Sequence, residues 1–126
     1  MHTLLLGHAA EEVSANYGVE AWIEEEFKAE TGYSREPLKP GADLSGVEVL
    51  AFWHSEPDYE ESCWVLFRKG GELYEVNGSH CSCYGYEGQW EPTKTSVTYL
   101  LSRHCPFYYR GDEGDITKLK ELLTSL

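Results

Sequence analysis

The sequence predicts an α+β fold, a three-stranded, mainly antiparallel sheet with N-terminal and C-terminal helices packed on it. Three observations support this. Apolar residues recur at helical spacing near each end of the chain, and three β-rich segments lie between them. The length of 126 residues, with 41% apolar and 13% aromatic residues, suits one hydrophobic core. We therefore expect a single domain over residues 1–126.

The N-terminal helix is predicted over residues 9–31. Gly18 is expected to break or bend it, and Gly32 to end it. Residues 34–46 are rich in proline and glycine and are predicted to be a loop. The apolar stripe of the helix follows the i, i+3, i+4, i+8 pattern and consists of Val19, Trp22, Ile23 and Phe27.

The central strands are predicted at residues 47–55, 63–69 and 72–77. The first has apolar residues on both parities, which is typical of a strand covered on both faces. The other two flank Gly70-Gly71, which favours a two-residue type I′ hairpin. This turn would place Phe67 opposite Tyr74 and Val65 opposite Val76. The hairpin would then have one apolar face, made of Cys63, Val65, Phe67, Tyr74 and Val76.

The C-terminal part is predicted to begin with an irregular segment over residues 78–88. A helix could begin at Pro92, but alternating apolar residues over 95–101 leave a strand as the alternative. Asp115 is expected to N-cap a final helix. The apolar face of the earlier helix would hold Val97, Leu100, Leu101 and His104, and that of the final helix Ile116, Leu119, Leu122, Leu123 and Leu126.

The charge balance limits the classes of partner. Twenty-two acidic residues against ten Lys and Arg give a net charge of −12. Such a field repels a phosphate backbone, so we expect no direct nucleic-acid binding, and it attracts basic protein surfaces. The alternative is that the charge only keeps a small protein in solution.

The expected location is the cytoplasm. The first residues lack the basic region and the length of a signal peptide, and no apolar segment is long enough to span a bilayer. The four cysteines are then expected to be free thiols or metal ligands rather than disulfides.

Two short clusters contain residue types that bind zinc. The first is His80, Cys81 and Cys83, and the second is His104 and Cys105. Zinc takes about four such ligands, so the clusters together could hold a structural ion, although their spacings are not the usual ones. Each cysteine could instead be a small buried apolar residue.

The same clusters could supply a cysteine nucleophile. Cys81 or Cys83 would attack, with His80 or His104 as its base. The sequence identifies no third residue to orient the base, so it favours a protein that is not an enzyme.

Candidate partner-binding residues are of two kinds. Glu24, Glu25 and Glu26 lie on the outer face of the predicted helix, where they could meet a basic surface or simply face solvent. The aromatic residues Tyr84, Trp90 and Tyr108 flank the Cys/His clusters. Aromatics of this type anchor many interfaces, but they could equally close the core.

Residues 77–92 read Asn-Gly-Ser-His-Cys-Ser-Cys-Tyr-Gly-Tyr-Glu-Gly-Gln-Trp-Glu-Pro. This segment resembles one shared by small acidic proteins of tailed phages and prophages. The resemblance covers the middle third of the chain and carries over no catalytic residue. It implies a phage accessory protein that binds and inhibits a host factor, such as a defence nuclease. The alternatives are a zinc-stabilised binding module and a small cysteine hydrolase.

Overall fold

The computed structural model describes residues 3–29, 40–56, 59–81, 85–102 and 113–126, and it has the predicted α+β class. The sheet has five strands rather than three, in the order β1-β2-β3-β4-β5. β1 runs parallel to β2, and the other neighbours are antiparallel, so the sheet is mixed. The strands are β1 (Leu4–Leu6), β2 (Glu48–His54), β3 (Glu60–Lys69), β4 (Glu72–Cys81) and β5 (Thr93–Thr95).

The predicted N-terminal helix is divided at Gly18 into α1 (His8–Asn16) and α2 (Val19–Glu26). Gly18 has a φ of 81°, which glycine adopts without strain and which ends the helical path. α2 ends earlier than predicted, because the Phe27 carbonyl accepts a hydrogen bond from the Ala42 amide at 2.7 Å instead of extending the helix. Among the helices of the described residues, none has the length and apolar character needed to cross a membrane.

The central hairpin is confirmed. Gly70 and Gly71 have φ values of 60° and 80°, the positive pair that a type I′ turn requires. The register places Phe67 opposite Tyr74 and Val65 opposite Val76. Residues 78–81 were expected to be irregular, but they extend β4 because β3 begins at Glu60 and supplies pairing partners for them.

Both faces of the sheet are buried. On the predicted apolar face, Cys63, Val65, Phe67 and Val76 are buried and Tyr74 is half-buried, and α1 and α2 cover this side. Trp64 and Leu66 point the other way and are also fully buried, beneath α3 (Val97–Ser102) and α4 (Glu113–Ser125). The sheet is therefore the middle layer of three.

A β-bulge in β2 places residues of both parities on the same face of the sheet. The pairing with β3 shifts between Val49 and Ala51, so Leu50 is the extra residue. As a result Val49 and Phe52, three residues apart, join the core beneath α1 and α2. His54 then follows Phe52 on the same face at the end of the strand.

The C-terminal predictions are partly wrong. α3 begins at Val97 rather than Pro92, because β5 takes residues 93–95 as an edge strand on β4. α4 begins at Glu113, so Asp115 lies in its first turn and is not the N-cap. Leu119 and Leu123 are buried as predicted, but Leu126 is 37% exposed. His104 lies outside the described residues.

Candidate functional site

A cleft of about 400 Å³ lies where β2 ends, β3 begins and β4 ends, beside α1 and α2. We call it the histidine cleft. Its polar lining is Glu12, Asn16, Glu26, His54, Glu61 and His80, and its aromatic lining is Tyr17, Trp22 and Tyr86. Among the described residues, the lining contains neither lysine nor arginine.

Strand pairing brings the polar side chains together. Glu61 of β3 pairs with His80 of β4, and His54 of β2 pairs with Cys63 of β3. Side chains two residues apart share a face, so Glu61 and His80 continue the rows that begin with buried apolar residues in the middle of the sheet. The cleft is thus the polar end of the core beneath α1 and α2.

Backbone carbonyls determine the tautomers of both histidines. His54 Nδ1 lies 2.6 Å from the Ser55 carbonyl oxygen, and His80 Nδ1 lies 2.8 Å from the Cys81 carbonyl oxygen. A carbonyl oxygen can only accept a hydrogen bond, so each Nδ1 carries the proton. In the neutral rings, both Nε2 atoms therefore present a lone pair.

These two Nε2 atoms face acceptor and donor groups inside the cleft. The Tyr86 hydroxyl donates to His54 Nε2 at 3.0 Å. Glu61 Oε1 lies 3.7 Å from His54 Nε2 and 3.4 Å from His80 Nε2. A carboxylate is also an acceptor, so the cleft concentrates acceptor atoms.

Tyr86 is the centre of an aromatic cluster and is only 1% exposed. Its ring stacks on Phe27 at 5.1 Å between centroids and meets His80 edge-on at 4.5 Å. Gly78 makes room for it, since a Cβ atom there would lie 2.7 Å from Tyr86 Cδ1. Glycine is therefore required at this position of β4 by close packing rather than by its φ angle.

Gln89 fixes the segment that contains Tyr86. Its amide oxygen accepts from the Ser79 N–H at 2.8 Å, and its amide nitrogen donates to the Ser79 carbonyl at 2.8 Å. The same amide also donates to the Gly85 carbonyl at 3.3 Å. The side chain thus takes the place of a neighbouring strand and holds residues 85–90 beside β4.

The buried thiol and phenol near the cleft are not activated for nucleophilic attack. Burial raises the pKa of the Cys63 thiol far above its ordinary value, although a hydrogen bond with Tyr86 opposes this shift. Burial also raises the pKa of the Tyr86 phenol, and the negative charges of Glu61 and Glu26 raise it further. Both groups therefore stay protonated at neutral pH, unlike a catalytic thiolate.

Of the predicted metal ligands, His80 and Cys81 are described, at the end of β4, while Cys83, His104 and Cys105 lie outside the described residues. Within the part of the chain that the structure describes, no group of three or more His, Cys, Asp and Glu side chains is arranged to hold a metal ion. Zinc binding by the two clusters stays a prediction. The same holds for attack by Cys81 or Cys83.

The predicted partner-binding residues differ in their exposure, and two of them lie outside the described residues. Glu24 and Glu25 are exposed on α2, whereas Glu26 is half-buried and lines the histidine cleft. Trp90 is half-buried and stacks on Phe67 with ring centroids 5.6 Å apart, so it helps to close the core. Tyr84 and Tyr108 lie outside the described residues.

Sequence reasoning missed the roles of His54, Glu61 and Tyr86 in the cleft. One signal was present for Glu61, because extending the hairpin register outward from Val65 and Val76 places it opposite His80. No comparable local signal existed for His54, whose position depends on the bulge, or for Tyr86, which reaches His54 across 32 positions of sequence.

Comparison with protein-family models, with curated proteins and with solved structures finds no match to this chain.

Proposed function

We propose that this protein is a phage-type accessory protein that binds a basic surface of a host protein and inhibits it stoichiometrically. The host protein would be a nucleic-acid-binding factor such as a defence nuclease, whose basic groove the acidic protein occupies. Acidic proteins of this kind compete with nucleic acid through electrostatic complementarity.

The charge of α1 and α2 carries the proposal. Between His8 and Glu26 the chain has six glutamates and neither lysine nor arginine, and five of the six glutamates are exposed. We call this the acidic surface; its glutamates are Glu11, Glu12, Glu20, Glu24, Glu25 and Glu26. On α4, by contrast, Lys118 and Lys120 are interspersed with Glu113, Asp115 and Glu121. A surface of one sign steers an oppositely charged partner, whereas a mixed surface does so far less.

The test is to capture a partner from host lysate and to measure its binding kinetics. Substituting Glu24→Lys together with Glu25→Lys should lower the association rate about tenfold or more at low salt, because these charges steer encounter. Raising the ionic strength from about 0.01 M to about 0.15 M should reduce the rate for the unmodified protein, since the Debye length falls from ~30 Å to ~8 Å.

The matched control is Glu113→Lys together with Glu121→Lys, which makes the same change in net charge on α4. This variant should keep most of the association rate. If both double variants have equal effects, or if salt has none, the acidic surface is not the binding surface. Displacement of nucleic acid from the captured protein then tests the inhibitory part of the proposal.

A further inference from the structure

The lining of the histidine cleft is rich in carboxylates, which favours a cation. Glu12, Glu26 and Glu61 belong to it, and Glu61 Oε1 lies 3.7 Å from His54 Nε2 and 3.4 Å from His80 Nε2. No lysine or arginine of the described ranges lines the cleft. Backbone carbonyls use the Nδ1–H groups of both histidines, and His54 Nε2 accepts from the Tyr86 hydroxyl, so the carboxylates are the main acceptors open to a ligand.

The remaining lining suits a planar cation with several donors. Glu12 and Glu26 add two carboxylates to Glu61, and Trp22 and Tyr17 add aromatic rings. Tyr17 is 69% exposed although it borders the cleft, which leaves its ring accessible to a ligand. A guanidinium group has five N–H donors and stacks on aromatic rings, whereas an ammonium group is a compact point charge that retains its hydration more strongly.

The cleft adjoins the surface of the proposed function. Glu12 of α1 and Glu26 of α2 belong both to the acidic surface and to the cleft lining. A basic partner that docks on α1 and α2 would therefore bring its own side chains to the mouth of the cleft. The volume of about 400 Å³ is ample for one arginine side chain.

We infer that the histidine cleft receives the guanidinium group of an arginine from the partner protein, with the carboxylates of Glu61, Glu26 and Glu12 as its acceptors. This inference rests on the proposed function and names the group that the partner inserts. Arginine at the centre of an interface, in a pocket of this kind, commonly contributes much of the binding energy.

The experiment uses Nα-acetyl-arginine amide as the probe on the full-length protein. NMR would follow the imidazole signals of His54 and His80 and the indole signal of Trp22 during titration. We expect saturable shifts at millimolar probe, weaker binding of Nα-acetyl-lysine amide and no binding of Nα-acetyl-citrulline amide, which has nearly the same shape without the charge. Glu61→Gln should weaken arginine binding about tenfold, because it removes a charged acceptor.

The matched control is Glu60→Gln, on the neighbouring residue of β3, which is exposed and points to the other face. It should leave the affinity for the probe unchanged. Glu26→Gln provides a second cleft variant should Glu61→Gln fail to fold, and an amide spectrum of each variant reports its fold. Equal binding of the citrulline probe, or equal effects of Glu60→Gln and Glu61→Gln, would overturn the inference.

Three further outcomes separate this inference from competing explanations. If zinc chloride at equimolar concentration produces the shifts and the arginine probe does not, the cleft is a metal site and the inference is wrong. If a host protein is captured with salt-dependent affinity but Glu61→Gln does not weaken its binding, the cleft inference fails while the proposed function stands. Probe binding without any captured partner would support the cleft and count against the proposed function.

Discussion

The two faces of the sheet are both covered by helices, but they bury different chemistry. Beneath α1 and α2, aromatic rings pack among aliphatic side chains and the core ends in an open cleft, with Trp22 and Tyr86 against His54. Beneath α3 and α4 the core is mainly leucine together with Trp53 and Trp64. The buried Glu75 on this face accepts a hydrogen bond from Trp64 Nε1 at 3.0 Å, which offsets the cost of burying it.

The comparison indicates a division of roles. The leucine-rich face anchors α3 and α4, whose exposed surface on α4 has mixed charge. The aromatic face positions the histidine cleft and supports the acidic surface. On that face a change in packing should alter both the stability of the protein and the geometry of the histidine cleft, whereas on the other face it should alter stability alone.

The largest expected effect on stability comes from truncating an aromatic side chain in the core beneath α1 and α2. Phe27→Ala should lower the free energy of unfolding by about 3–5 kcal/mol, because Phe27 is fully buried against Trp22 and Tyr86 and its loss leaves a cavity. Urea denaturation measures the change. Leu119→Ala, on the other face, should cost about 2–5 kcal/mol but leave the imidazole signals of the cleft in place. Equal disturbance of those signals by both variants would contradict the division of roles.

The next effect is alkaline destabilisation. The pKa of Cys63 is raised in the folded state, so its stabilising contribution is complete below the unfolded value of about 9 and is lost as pH rises. Above that value, stability should fall by about 1.4 kcal/mol per pH unit for this group, because only the unfolded chain releases the proton.

Denaturant unfolding at a series of pH values between about 8 and 11 would measure this effect. The stability of Cys63→Ala should fall less steeply with rising pH than that of the unmodified protein, whatever the stability of the variant at neutral pH. Tyr86, whose pKa is raised by burial as well, should add a second decline that begins nearer pH 10. If Cys63→Ala leaves the pH dependence of the free energy of unfolding unchanged, burial in the fold does not suppress ionisation of the Cys63 thiol.

The smallest effect concerns one hydrogen bond. Tyr86→Phe should cost about 1 kcal/mol, since it removes the buried donor to His54 Nε2. Tyr74→Phe is the matched control, because the Tyr74 hydroxyl bonds the exposed Glu72 carboxylate at 3.3 Å, and it should change stability by less than about 0.5 kcal/mol. Thermal unfolding of the two variants measures the difference. A larger loss of stability for Tyr74→Phe than for Tyr86→Phe would contradict the expected importance of the buried hydrogen bond.

Local patterns were sufficient where neighbouring residues determine the structure. Gly70-Gly71 determines the hairpin register through the positive φ angles that its turn requires, and Gly18 divides the first helix for a similar reason. The acidic surface is likewise readable, because its glutamates follow one another along α1 and α2. Local patterns failed for β1, whose three leucines are too few to show a period, and for the end of β4, where Gly78 and Ser79 have low strand propensity.

By itself the sequence determined the α+β class, the hairpin and the sign of the surface charge, because each depends on residues close together in the chain. Only the tertiary structure decided the histidine cleft. His54, Glu61 and His80 meet because a bulge in β2 and the pairing of β2, β3 and β4 align three strand ends, and Tyr86 then packs over Gly78. Such an alignment follows from strand register across the whole sheet, which no single segment encodes.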